Sequence, residues 1–357
     1  MVCKRAHIMK NKASIGNKIY RKLHWIVFNK LDGKKWTTPF YASWRHAYTL
    51  KGKQRQKSES YSPKHPNDGL SHIFLTQIPN EGAGIGHQLA NYNAGLYFAS
   101  FFGVKYAYPG FRKKDWESFL GLGENEVSLK ELRKKGYKVL RLPYYEDAAD
   151  YEMVRNIIAS YSGQRVVFLN ELDQFYKEQY GVAGYAKKKF NSAMARSKDK
   201  LIYDEKQLNI AVHVRRGDIN VVSSADSNLK KRWLDNDYYE NVLENAIKRI
   251  SEDDRFVSLT GKKDCRPAIY IFSQGSESDF ESFKRFEKYG DLRFCLDMEE
   301  KASFLHMVRA DVLITSRSSF SYKPALISDG IRICPPGFWH DYPENEHWFV
   351  ADEYGNF

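Results

Sequence analysis

The rhythm of apolar and polar positions changes near residue 71. Before it, Lys, Arg, Trp and Tyr mix with no clean period, and 51–68 is a polar stretch with Pro63 and Pro66 that reads as a linker. After it, short apolar runs alternate with stretches of helical spacing. Residues 71–77 predict a strand and 79–86 a loop with three glycines. Residues 87–102 predict a helix with Leu89, Tyr92, Leu96 and Ala99 on one face, stopped by Gly103. Further strands are expected at 105–108, 138–142 and 165–169. From about 201 the rhythm is clearer. Strands are expected at 208–214, 268–272, 292–296, 312–315 and 331–334, and helices at 237–250, 277–289, 299–309 and 320–328.

Strands alternating with helices indicate parallel sheets. Two such series predict an α/β protein with two Rossmann-like domains facing each other across a cleft. The first domain is placed at 71–200, the second at 201–357, and 1–70 is a separate extension.

Charge sharpens this division. The net charge is +12, but residues 1–70 hold 16 Lys and Arg against 3 Asp and Glu, while the rest of the chain holds 40 against 41. A near-neutral body argues against a nucleic-acid partner. The extension reads either as a solvated arm or as a peripheral contact with an anionic membrane, with Trp25, Ile26, Val27 and Phe28 as its apolar element. No window approaches 18 consecutive apolar residues, and no secretory signal is read, so a cytoplasmic location, free or membrane-peripheral, is the expectation. Cys3, Cys265, Cys295 and Cys334 show neither metal spacing nor a CxxC pair and are expected as reduced thiols.

In an open parallel sheet, ligands bind beyond the carboxyl ends of the strands. In the second half those ends carry Arg215, Arg216 and Asp218, then Ser273 and Gln274, then Asp297, then Ser316, Arg317, Ser318 and Ser319. The set suits a nucleotide diphosphate. A guanidinium is a charged planar fork for phosphate oxygens, and a helix opening on two serines offers N–H groups and hydroxyls to an anion. Asp297 can accept two parallel hydrogen bonds from a guanine N1–H and amino group. The plainer alternatives are that Asp218 pairs with an arginine and that Ser318 and Ser319 form an ordinary N-cap. No Asp-x-Asp element follows a strand, so no metal is expected and arginine is the simpler charge stabiliser. Glu81, Asp218 and His87 are the candidate bases.

The segment Ala211-Val212-His213-Val214-Arg215-Arg216-Gly217-Asp218 resembles the H-x-R-R-x-D motif of the α1,2- and α1,6-fucosyltransferase superfamily. The stretch 297–326, with its Ser-Ser-Phe-Ser turn, is similar to a later motif of that group, and Ile271-Phe272-Ser273 to an intervening strand. Gly84, Gly86, His87 and Gln88 resemble the family's G-x-x-N-Q loop on the acceptor side, with His87 where the family often has Asn. The resemblance covers about 71–335. It implies a GT-B fold, GDP-fucose as donor, a glycan acceptor, inversion at the anomeric carbon and no metal or other cofactor. By motif position it implies Arg215 or Arg216 on the β-phosphate, His213 and Asp297 on the guanine side, and Ser318, Ser319 and Phe320 near the phosphates. A transferase using another nucleotide sugar, and a non-catalytic glycan- or nucleotide-binding module on the same fold, remain open.

Overall fold

The computed structural model describes residues 69–357 apart from 79–83, 112, 143–144, 146–147, 171–178, 218 and 220–230. The basic extension, and with it the expected membrane contact, lies outside the described residues.

The first half contains β1 (Ile73–Gln77), α1 (Ile85–Phe101), β2 (Lys105–Tyr106), α2 (Lys114–Leu120), α3 (Leu129–Lys134), β3 (Lys138–Arg141), α4 (Ala148–Ala159), β4 (Val166–Asn170) and α5 (Ala183–Ser192). The second contains β5 (Leu208–His213), α6 (Asn236–Glu252), α7 (Asp254–Thr260), β6 (Pro267–Ser273), β7 (Asp291–Leu296), α8 (Glu300–Arg309), β8 (Val312–Ile314), α9 (Ser319–Ile327), β9 (Ile331–Cys334) and β10 (Trp348–Val350). Among the described residues the strands form two wholly parallel sheets, ordered β2-β1-β4-β3 and β10-β9-β8-β5-β6-β7. Strands covered on both faces need continuous apolar runs, which explains why β5 and β9 are buried along their whole length.

The second sheet has the strand order of a dinucleotide-binding Rossmann sheet, starting at the centre with β5 and reversing direction between β5 and β8. That reversal opens a crevice at the carboxyl edge. Leu208, Ile210, Val212 and Val214 face a core shared with α6 and α7, while Ala211 faces the core beneath α9. Strand alternation therefore sends His213 toward the α9 side.

Three features differ from the sequence reading. Residues 277–289 form not an α-helix but a 3₁₀ segment, Glu277–Lys288, broken at Phe280. Phe280, Phe283 and Phe286 are fully buried, and their spacing of three fits three residues per turn rather than 3.6. Helix α1 has two buried faces instead of one. Leu89, Tyr92 and Leu96 pack into a cluster with Phe304 and Ile327 of the second half, whereas Ala99 turns with Phe98 toward its own sheet. Strand β10 was not expected, since its three residues form an edge too short to show alternation.

The seam between the halves contains a buried lysine. Lys323 of α9 is 2% exposed, and its Nζ has no hydrogen-bond partner among the described residues. It lies 5.2 Å from the Tyr322 ring and borders a small cavity shared with Leu89 and Tyr92 of α1 and Phe190 of α5. Burial pushes its ammonium well below the usual 10.5. The unfolded chain therefore holds more protons than the folded one from 10.5 down to that depressed value, and this stability is lost as pH falls. Lys323→Met is expected to raise stability by about 1–3 kcal/mol at neutral pH, because it removes an unpaired buried amine at similar volume. Denaturant melts at pH 9 and pH 6 check this. The gain over wild type should be larger at pH 6, and a gain independent of pH would show that the amine is not buried neutral.

Candidate functional site

A cavity of about 720 Å³ lies where the carboxyl edge of the second sheet meets the first half. His213, at the last position of β5, forms part of its wall and is 6% exposed. Its Nδ1 lies 2.8 Å from Ser316 Oγ, which follows β8, so the two strands flanking the crevice are joined at the site itself. Ser316 Oγ is in turn 3.3 Å from Ser321 Oγ on α9. Burial, aided by the charge of Arg215, pushes the His213 imidazole down to about 3. The ring is therefore neutral across the physiological range. Ser316 itself is buried behind His213 rather than in the cavity wall.

The two arginines part company. Arg215 lines the cavity. Arg216 touches it too, but its guanidinium is held by the fold. Nη1 donates to Arg215 O at 2.8 Å and to Leu234 O at 3.0 Å, Nη2 donates to Asn236 Oδ1, and the group sits 4.0 Å from the Trp233 ring. Sequence reasoning expected one arginine to orient the loop by pairing with a carboxylate such as Asp218. The described partners are main-chain carbonyls and Asn236 at the start of α6, and Asp218 lies outside the described residues. Glu81 does as well.

Two helices begin at the cavity. Ser318 is the N-cap of α9, its Oγ accepting from Phe320 N at 3.2 Å. The plain N-cap reading thus holds for this side chain, while Ser318, Ser319 and Phe320 all remain in the cavity wall. Helix α1 starts opposite, with Gly84 as its N-cap, no side-chain cap and no acidic residue in its first turn. Gly84, Gly86 and His87 line the cavity, and Gln88 is buried in the helix behind them. A Cβ on Gly86 would lie 2.8 Å from the main-chain carbon of Ser319, so only glycine lets the two helix starts meet. Two helix N-termini directed at one space favour an anion there.

Asp297 follows β7 and lines the far side of the cavity. It sits in the left-handed region, with φ +50°, and its N–H donates to Ser273 O at 2.9 Å. Asp tolerates this conformation better than most residues, and it turns the chain from β7 toward α8 at the rim. Ser273 also lines the cavity, with its Oγ donating to Val214 O at 2.8 Å. Among the described residues no group of three or more His, Cys, Asp or Glu is arranged to hold a metal ion.

Sequence reasoning missed several wall residues. Asp115 and Trp116 come from α2, which carries no motif. Asp115 pairs with Lys301 across the mouth at 3.1 Å, an exposed contact worth at most about 1 kcal/mol. Trp339 lies in the loop after β9, where the rule of carboxyl strand ends would have found it.

No protein-family model matches the chain, and no curated protein sequence matches it. Solved structures do. One is a crystal structure of POFUT1 in complex with GDP-fucose (TM-score 0.41, 12% identity, 81% of this chain and 99% of that one). Another is POFUT1 in complex with GDP (TM-score 0.40, 13% identity, 80% and 99%). A third is the glycosyl transferase family 9 protein from Veillonella parvula DSM 2008 (TM-score 0.37, 10% identity, 79% and 88%). The overlap is loose, so the chemistry of the site is taken from this chain's own residues.

Proposed function

We propose that the chain is a glycosyltransferase that moves fucose from GDP-fucose to a hydroxyl of a glycan acceptor, with inversion and without a metal. One observation carries this reading: His213, Arg215 and the start of α9 share one cavity wall where the strand order reverses, with the uncapped start of α1 opposite. This arrangement suits a diphosphate. The C1–O bond to the β-phosphate breaks, its electron pair stays with the leaving GDP, and the acceptor oxygen bonds C1 from the other face. Charge grows on the diphosphate as the bond breaks, so Arg215 and the two helix starts stabilise the transition state more than the bound donor. The acceptor's proton passes to a base. Of the three candidates, His87 is the one that lines the cavity among the described residues. His213, held neutral, serves as a hydrogen-bonding wall rather than as a cation.

Asp297 on the β7 side favours guanine over other bases, because its carboxylate matches the paired donors of that ring. In thermal-shift titrations of the full chain, GDP is expected to stabilise the protein by about 2.7 kcal/mol at a hundredfold excess over its Kd, and UDP by much less. Asp297→Ala should erase the difference. Equal shifts from GDP and UDP with the wild type would remove the guanine assignment and favour a different nucleotide sugar.

A further inference from the structure

One wall of the cavity has no role in that scheme. Strand β9 ends at Cys334, and Trp339 from the loop beyond it lines the cavity beside Arg232. The Arg232 guanidinium lies 4.9 Å from the Trp339 ring. Arg317 fixes the two segments against each other, its Nε donating to Pro336 O at 3.1 Å and its Nη1 to Lys231 O at 3.4 Å. The Trp339 ring also meets Phe338 at 4.3 Å and His340 at 6.1 Å. The indole is thus braced by neighbours while still forming part of the wall. Its Nε1–H is buried and donates to no described group. That nitrogen is closed off from the cavity, so what the wall offers a ligand is the part of the indole that stays exposed, an apolar aromatic surface.

The strand order gives the position along the cleft. Adjacent strands lie roughly 4.8 Å apart. The diphosphate position falls between β5 and β8. Asp297 at the end of β7 is two to three strands to one side, roughly 12 Å, and the end of β9 is one to two strands to the other, roughly 7 Å. A base–diphosphate–sugar molecule with its base at Asp297 therefore carries its sugar toward Trp339.

We propose that Trp339, braced by Arg232, is the platform for the sugar ring of the nucleotide-sugar donor. The C–H groups of a pyranose pack on the exposed part of the indole. The assignment rests on the donor reading above and adds to it the residue that recognises the transferred sugar.

Calorimetric titration of GDP and of GDP-fucose into the full chain tests it, with wild type, Trp339→Leu and Trp339→Phe. GDP should bind all three alike, which also reports folding. GDP-fucose should bind Trp339→Leu about tenfold more weakly than wild type, with Trp339→Phe between them because it keeps an aromatic surface of smaller area. An unchanged GDP-fucose affinity in Trp339→Leu would overturn the assignment, and if transfer were lost at the same time it would place the acceptor at this wall instead. Parallel weakening of GDP and GDP-fucose would also overturn it, by making Trp339 a support for the fold or the nucleotide. Failure of wild type to bind either ligand would sink the donor reading itself and the platform with it.

Discussion

Arg215→Ala is expected to leave the chain folded and to remove about 3–5 kcal/mol of transition-state stabilisation from the proposed transfer, comparable with losing a preorganised oxyanion donor or slightly more. The residue follows a buried strand and lines the cavity, so its removal takes a charge from the site without opening a hole in the core. Lysine should rescue it poorly, since one ammonium cannot reproduce a planar fork of donors. Arg216→Ala should behave differently. Its guanidinium bonds Arg215 O, Leu234 O and Asn236, so that variant should lose stability together with activity. Steady-state kinetics with GDP-fucose, alongside circular dichroism, separates the two signatures. If folded Arg215→Ala keeps near wild-type kcat and KM, the diphosphate is held elsewhere and the proposed function fails.

Gly86→Ala should damage the site more than the fold. The added methyl would meet the main-chain carbon, carbonyl oxygen and Cβ of Ser319 at 2.8–2.9 Å. Both partners belong to the first turns of helices, where the backbone cannot turn aside as a flexible side chain would. Overpacking of this kind costs about 1–3 kcal/mol. The larger effect falls on Ser319 in the wall of the proposed site, because displacing a group there by about 1 Å can cost a hundredfold in rate. Gly84→Ala is the control: among the described residues no atom lies within 4 Å of its added Cβ. Melting temperature and kcat/KM for the two variants give the answer. Equal behaviour of the two would mean that the helix starts do not meet as tightly as the packing indicates.

The central strands were legible because they are buried on both sides. Such strands are written as largely apolar runs, as at Leu208–His213 and Ile331–Cys334 with Asn209, His213 and Arg332 as the polar exceptions, and their ends then mark the rim of the sheet. The rim in turn shows where Arg215, Asp297 and Ser318 stand, all of which line one cavity. The second buried face of α1 was hidden because Leu89 and Ala99 fit a single helical stripe on paper, and only the seam with Phe304 divides them. The 3₁₀ segment was hidden because phenylalanines three apart also satisfy part of an α-helical stripe. Trp339 and Trp116 were hidden for other reasons. Trp116 reaches the cavity from a helix position set by tertiary packing that no local spacing announces, whereas Trp339 lies in the loop beyond the end of β9, a strand end that the reading of the rim did not follow.

The placement of β5 at the centre of its sheet sets an order of assembly. One flank pairs with β6, but the other waits for β8, where Ile210 aligns with Val312 and His213 bonds a serine 103 residues further on. At about 5–20 residues per second, a growing chain carries β5 with that flank open for roughly 5–20 s before it can close. Contacts so distant in sequence also make folding slow. During that interval an apolar strand presents an open row of main-chain donors and acceptors, the kind of edge that recruits other chains. A chain cut short before Val312 therefore lacks half of the crevice, and it leaves the central strand of the sheet exposed as a template for aggregation.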